Sequence, residues 1–197
     1  MFEQQRAAYF PVELPGSVVA RPVDYETYAP IRKALFDQVF PHWNSLPRYQ
    51  LPPERRAKVA RLTKLFRKAH HERFVFYDDD TPIGWSMGHM DDPITFRMNN
   101  SGLLPDYRRW GIYTAFTRRL LDYLKTLGYE RVTSYHHPTN RAVLIAKLRL
   151  GFNLSGHWLN EDGGAVVRLT YYFYEDRFQA FERAFGMEPD FTRDDSV

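Results

Sequence analysis

The stretch from residue 94 to residue 160 leaves this chain few folds to choose from. Ile112, Phe116, Leu120, Leu124 and Leu127 fall on one face of a helix over 111–127, and Gly128 is placed to stop it. Segments at 94–104 and 131–137 read as strands on either side of it. A shorter helix over 139–150 halts at Gly151. Strands at 152–160 and 165–174 then flank the turn signal Glu161-Asp162-Gly163-Gly164. Alternation of this kind gives a mixed α/β sheet in one layer, with helices on its faces.

The rest of the chain fits the same plan. Residues 1–16, ending in Leu14-Pro15-Gly16, read as an arm before a first strand over 17–21. A helix over 25–40 is stopped by Pro41, and three prolines make 47–53 a loop. Val59, Leu62, Phe66 and Ala69 recur at helical spacing within 54–70. Strands follow at 73–77 and 83–90, around a turn at 78–82. Glycines at 84, 88 and 102 lie inside strands, where they mark a bulge or a close backbone approach. Phe178, Phe181 and Phe185 mark a closing amphipathic helix, which packs on its own domain or on a second copy of the chain. The tail through Asp194-Asp195 reads as frayed. The boundaries are therefore an arm at 1–16, a body at 17–175, and a helix with tail at 176–197.

Composition narrows the function classes. With 197 residues, 44% of them hydrophobic and 26% charged, the chain fills one domain core. No apolar run approaches the roughly 20 residues that span a bilayer. Residues 1–6 carry no secretion-signal pattern, so a cytoplasmic location is expected. Cysteine is absent, which removes disulfides, thiolate metal sites and a cysteine acyl-enzyme. Residues 54–73 hold eight of the 27 basic side chains and two of the 24 acidic ones, leaving 19 basic against 22 acidic elsewhere. The whole excess of positive charge sits in that segment.

Chemistry concentrates in Leu103-Leu104-Pro105-Asp106-Tyr107-Arg108-Arg109-Trp110-Gly111-Ile112-Tyr113-Thr114. It joins a strand to the long helix through a basic turn with glycine at the helix start. Unpaired N–H groups and the helix dipole make such a start a site for phosphate, and glycine allows close approach. An ordinary turn with exposed arginines fits the same residues. A Walker A loop would need Gly-Lys-Ser/Thr, and a dinucleotide fingerprint three spaced glycines. Neither is present.

The segment resembles the acyl-CoA loop of the GNAT superfamily of N-acyltransferases, written Arg/Gln-x-x-Gly-x-Gly/Ala after a strand ending near Val-x-Pro. Arg108, Gly111 and Leu103-x-Pro105 match, whereas Tyr113 stands where a second small residue is usual. A second motif of the superfamily, an Asn followed eleven and twelve residues later by Gly-Phe, is met by Asn140 and Gly151-Phe152. The resemblance covers roughly residues 17–174. It implies a mostly antiparallel sheet of six to seven strands with helices on both faces. Two parallel central strands, ending near Leu104 and His137, would splay apart. It also implies acetyl-CoA or another acyl-CoA as co-substrate, no metal, and the amine of a small molecule or peptide as acceptor. Main-chain groups of Leu103 and Leu104 would pair with the pantetheine arm. The turn from Arg108 and Arg109 through Trp110, Gly111, Ile112, Tyr113 and Thr114 would hold the pyrophosphate. The Asn140 side chain would reach the arm from the other side.

For catalysis, the lack of cysteine leaves direct attack on the thioester as the simpler route, with a backbone N–H near Leu103 as oxyanion donor. Many relatives place a tyrosine seven residues after the motif asparagine; here that position is Lys147. Its ammonium would steady a leaving thiolate, or it is a solvent-facing lysine. Arg97 falls where some relatives carry a glutamate base, and it cannot accept a proton. His89 is the candidate base, with a bound water as the alternative. Asp91-Asp92 before a proline reads as a turn. His136 and His137, adjacent on a strand, face opposite sides and do not make a metal pair. Trp43, Tyr49, Trp85 and Phe96 line an acceptor pocket or pack in the core. Two readings compete with the enzyme: a non-catalytic acyl-CoA-binding module, and a nucleic-acid-binding protein using the basic helix, which lacks any recognised reading motif.

Overall fold

The computed structural model describes residues 2–41, 51–160 and 164–184. Its elements run α1 (Phe2–Ala7), β1 (Val12–Leu14), β2 (Val18–Pro22), α2 (Tyr25–Val39), α3 (Pro53–Phe66), β3 (His71–Asp78), β4 (Thr81–Asp92) and β5 (Thr95–Leu103). They continue with α4 (Ile112–Thr126), β6 (Arg131–His136), α5 (Arg141–Arg149), β7 (Asn153–Asn160), β8 (Gly164–Tyr172) and α6 (Glu175–Ala184). Phe185 of the expected closing helix, residues 161–163 of the turn before β8, and the tail lie outside the described residues.

One sheet holds all the strands in the order β1-β2-β3-β4-β5-β6-β8-β7. Every neighbouring pair is antiparallel except β5 and β6, which α4 connects by a crossover. The described residues form eight strands in place of the six or seven expected. The additional one comes from the arm: Val12, Glu13 and Leu14 pair with Ala20, Val19 and Val18. Three residues are too few to show a two-residue alternation in sequence. What holds them is burial of Phe10 and Leu14 in the main core.

That core lies between the sheet and α4. Phe74 and Phe76 meet Phe116 edge to face there, Phe10 lies tilted against Phe74, and Ile112, Leu120 and Leu124 complete the buried stripe of α4. On the opposite sheet face, Tyr28, Leu35 and Val39 of α2 close over Trp85. A buried carboxylate joins α1 to the first core. Glu72, 1% exposed, accepts hydrogen bonds from the Tyr123 hydroxyl (2.7 Å), His70 Nε2 (2.8 Å) and Arg6 (3.3 Å). α3 is different, because none of its residues is buried and Leu62, Leu65 and Phe66 stand exposed.

The parting of β5 from β6 has a local cause. Pairing of β4 with β5 steps between Met87↔Asn100 and Gly88↔Met98, so Asn99 is an extra residue. A bulge of this kind bends its strand. On the other side, β5–β6 pairing runs from Thr95↔Arg131 to Met98↔Ser134 and stops there, at the bulge. Trp85 Nε1 donates to Asn100 Oδ1 (2.6 Å), and the Ser86 and Ser101 hydroxyls meet at 2.9 Å, fixing the diverging half of β5 to β4. Gly102 lets α2 come close, since a Cβ there would lie 2.5 Å from Val39.

Candidate active site between the parted strands

Beyond the bulge, β5 stays paired with β4 but presents main chain on its β6 side with no strand opposite it. The Leu104 N–H is bonded to the Ile83 carbonyl (2.9 Å), on the β4 side. Alternation along the strand therefore turns the Leu103 N–H the other way, toward the gap. The Leu104 carbonyl accepts from the Tyr107 N–H (3.1 Å), so both of its main-chain groups are used inside the protein. Of the two leucines, Leu103 alone offers an N–H to the gap.

The basic turn follows. Arg108 is half structural: its Nε donates to the Leu103 carbonyl (3.1 Å) and its terminal nitrogen to the Val39 carbonyl (2.7 Å). It thereby clamps the end of β5 to the end of α2. Arg109 is exposed and sits at φ +69°, a left-handed conformation that costs a non-glycine residue about 1 kcal/mol or more. Gly111 follows at φ +83° as the cap of α4, with no side chain capping the helix. The first helical bond there runs from the Ala115 N–H to the Gly111 carbonyl (2.9 Å). The N–H groups of Ile112, Tyr113 and Thr114 consequently have no acceptor within the helix. Seven described residues thus produce an open start of a fifteen-residue helix, next to a guanidinium.

Two bulky rings flank this start without capping it. Trp110 lies against Gly16, whose hypothetical Cβ would come 2.7 Å from its ring, and against Tyr107. Tyr113 turns inward and packs on the main core, its ring 5.8 Å from Lys147 Nζ. Burial pushes the Tyr113 phenol above its usual range. The inward direction, rather than an outward one, is how a large residue is accommodated where a small one is usual.

Lys147 forms the floor. It is fully buried, with Nζ 2.8 Å from Met98 Sδ and 3.9 Å from the centre of the Phe152 ring. No carboxylate pairs with it among the described residues. Burial therefore holds its pKa well below the usual lysine range and favours the neutral amine. The solvent-facing alternative fails, because α5 turns this one position into the core. His136 lies beside it, bonded to the Ser134 hydroxyl (3.0 Å); burial and the nearby lysine push its pKa down to about 4. Asn140 precedes α5 as an exposed side chain that makes no capping hydrogen bond.

The other sequence candidates scatter. His89 sits below the bulge, opposite Arg97, with Phe66 edge-on to its ring. Burial, then the charges of His71 and Arg97, push its pKa down to about 4, which makes it a weak acceptor for an amine proton. Trp85 and Phe96 are wholly buried core residues; Trp43 and Tyr49 lie outside the described residues. Asp92 is tied into the β4–β5 turn by the Ile94 N–H (2.9 Å) and faces Arg131 at 3.5 Å. Among the described residues, no three His, Asp or Glu side chains gather as metal ligands, and no helix is long and apolar enough to cross a membrane.

An open helix start beside an unpaired strand edge suits a diphosphate attached to an amide-rich arm. The family model described as acetyltransferase (GNAT) family matches residues 36–152, more than half of the chain. The chain belongs to that family. As a GNAT protein it is an N-acyltransferase with acyl-CoA as co-substrate and an amine as acceptor. Solved structures agree on the fold. The ribosomal-protein-S18-alanine N-acetyltransferase of Escherichia coli is 14% identical at a TM-score of 0.57, covering 79% of this chain and 93% of that one. An N-acetyltransferase from Staphylococcus aureus Mu50 is 15% identical at 0.58, covering 80% and 99%. A GNAT acetyltransferase from Elizabethkingia anophelis with acetyl-CoA bound is 13% identical at 0.56, covering 80% and 99%. No curated protein matches the sequence.

Proposed function

We propose that this GNAT enzyme transfers an acetyl group by direct attack of an amine at the gap between β5 and β6. The observation that carries the assignment is the uncapped start of α4, with the N–H groups of Ile112, Tyr113 and Thr114 free of helical partners. These amides, with those of Arg109, Trp110 and Gly111, would hold the diphosphate, and the exposed Arg109 adds charge. Arg108 acts through the backbone by clamping Leu103. The Leu103 N–H serves the arm or the developing oxyanion, and Asn140 closes on the arm from β6.

Acetyl-CoA supplies an activated carbonyl and a thiolate that leaves readily. Lys147 is the catalytic candidate on the protein side. As a neutral amine at the floor it would take up, by way of water, the proton that the attacking nitrogen releases as the N–C bond forms, and the resulting ammonium would steady the thiolate as the C–S bond breaks. The low pKa of His89 leaves the acceptor's own proton to water rather than to this histidine. A cytoplasmic location is supported by the acyl-CoA requirement and the lack of cysteine.

Titration calorimetry with acetyl-CoA tests the assignment. Saturable binding is expected, weakened about tenfold or more by Gly111→Val, whose side chain fits neither the left-handed cap nor a close anion. A folded protein that ignores acetyl-CoA at millimolar concentration would sink the reading.

A further inference from the structure

The face of the sheet that carries α2 holds a second constellation, which rests on the N-acyltransferase reading above and extends it to the acceptor. His71, His89, Arg97, Thr133 and Thr170 are consecutive cross-strand partners on β3, β4, β5, β6 and β8. Six buried side-chain nitrogen or oxygen atoms among the described residues have no hydrogen-bond partner. Three of the six are neighbours in this row: His89 Nδ1, Arg97 Nε and Thr133 Oγ1. Thr133 is only 4% exposed. Buried polar groups are ordinarily paired, so three adjacent orphans mark a place where an external group completes the network.

The surroundings define that group. A cleft of about 100 Å³ opens at the β6–β8 end of the row, lined by Thr133 and Thr170 together with Asp91, Asp92, Arg131, Tyr135 and Arg168. Arg97 is stacked on Tyr135 at 4.4 Å and only loosely paired with Asp91 at 4.0 Å. Arg131 faces Asp92 at 3.5 Å, and Arg168 is bonded to Ser155 and stacked on Trp158 at 4.9 Å. Arg131 and Arg168 balance Asp91 and Asp92 in the lining, Arg97 behind it adds one positive charge, and the orphan donors call for an acceptor. A dianionic phosphate would meet both aspartates at close range. A single planar carboxylate fits the charge and the size.

Its location links the cleft to the reaction. Arg97 and Thr133 lie one residue before Met98 and Ser134, the last pair before the strands part. Neighbouring residues on a strand point to opposite faces. Lys147 meets Met98 from the α4–α5 side, so Arg97 stands on the other side of the gap. We propose that this row reads the acceptor: the amine substrate carries a carboxylate that accepts hydrogen bonds from Arg97 Nε–H and the Thr133 hydroxyl, while its amine reaches the gap. The arginine at the position where a glutamate would act as base therefore serves recognition instead.

The test uses amine pairs that differ only in charge, free amino acids and small peptides against their C-terminal amides, in a steady-state assay of CoA release. The carboxylates are expected to be favoured at least tenfold in kcat/KM. Arg97→Met and Thr133→Val are each expected to raise KM for the carboxylate severalfold, with KM for the amide and acetyl-CoA binding unchanged. Because Thr133→Val keeps shape and adds no charge, it reports even if Arg97→Met folds poorly. Equal use of amides and carboxylates overturns the assignment, as does acetyl transfer to neutral amines alone or to neither member of any pair by a protein that binds acetyl-CoA. Failure to bind acetyl-CoA at all would instead remove the enzyme reading beneath it.

Discussion

Lys147 is the residue whose environment says most about chemistry. Its ammonium is deprived of water, and no carboxylate among the described residues pairs with it, so folding favours the neutral form and lowers its pKa. In the unfolded chain the group titrates near 10.5. Between the lowered value and 10.5 the unfolded state binds the extra proton, so this lysine's contribution to stability rises with pH across that window. Lys147→Met, of similar volume, is therefore expected to raise Tm, most at the acid end of the window and not at all above pH 10.5. Thermal melts of both proteins from pH 6 to 11 check this. The same variant is expected to lower kcat at least tenfold while KM for acetyl-CoA stays within about twofold. Unchanged kcat would make the lysine a structural oddity. His89→Gln is expected to leave the pH profile of kcat/KM unmoved between 6 and 9, because a histidine with a pKa of about 4 does not titrate there. A lost limb in that profile would restore it as the base.

At the scale of elements, Glu72 shows how α1 is held. Burial alone would raise its pKa, but hydrogen bonds from His70 and Tyr123 and the charge of Arg6 outweigh burial and hold it below the usual range. A depressed carboxylate stabilises the fold above its unfolded pKa, near 4.5, and loses that contribution as pH falls through the folded value. Glu72→Ala leaves Tyr123, His70 and Arg6 without their acceptor and is expected to cost about 3 kcal/mol at pH 7, read from denaturant unfolding. The difference should shrink as acid protonates the wild type. Nothing in residues 1–16 announced this network, because its partners are joined by tertiary contact over 66 positions in one case and 51 in another. The turn was legible for the opposite reason. Gly111, Pro105 and the two arginines specify a local conformation, and local conformation is what neighbouring residues encode. α3 lies between these cases. Its helical spacing was plain, yet Leu62 and Leu65 remain exposed, since periodicity tells which face is apolar and not whether anything covers it. The position of Lys147 was legible from its spacing to Asn140, but its burial and the row through Arg97 were out of reach, because they depend on how α5 rotates and how β5 registers on its neighbours.

On the whole molecule the gap divides the sheet into two unequal parts. β1 to β5 form one, and β6, β8 and β7 the other; the ladder between them has only four residue pairs, Thr95↔Arg131 to Met98↔Ser134. Beyond those pairs, α4 and α5 carry the connection through Tyr113, Lys147 and Phe152. A ligand whose arm lies between Leu103 and the end of β6, with its diphosphate on α4, would tie both parts together. Ligand at a hundredfold excess over its Kd stabilises a fold by about 2.7 kcal/mol, which for a domain of this size raises Tm by roughly 5–10 °C. Acetyl-CoA should reach that shift, and the protection it confers against hydrogen exchange should be concentrated in residues 99–103, 109–114 and 135–140. Gly111→Val should reduce the shift at a fixed acetyl-CoA concentration, because weaker binding at the α4 start weakens the tie. Protection confined to α4, with the edges of β5 and β6 exchanging as before, would mean that the arm does not enter the gap and that the two parts of the sheet are joined by their helices alone.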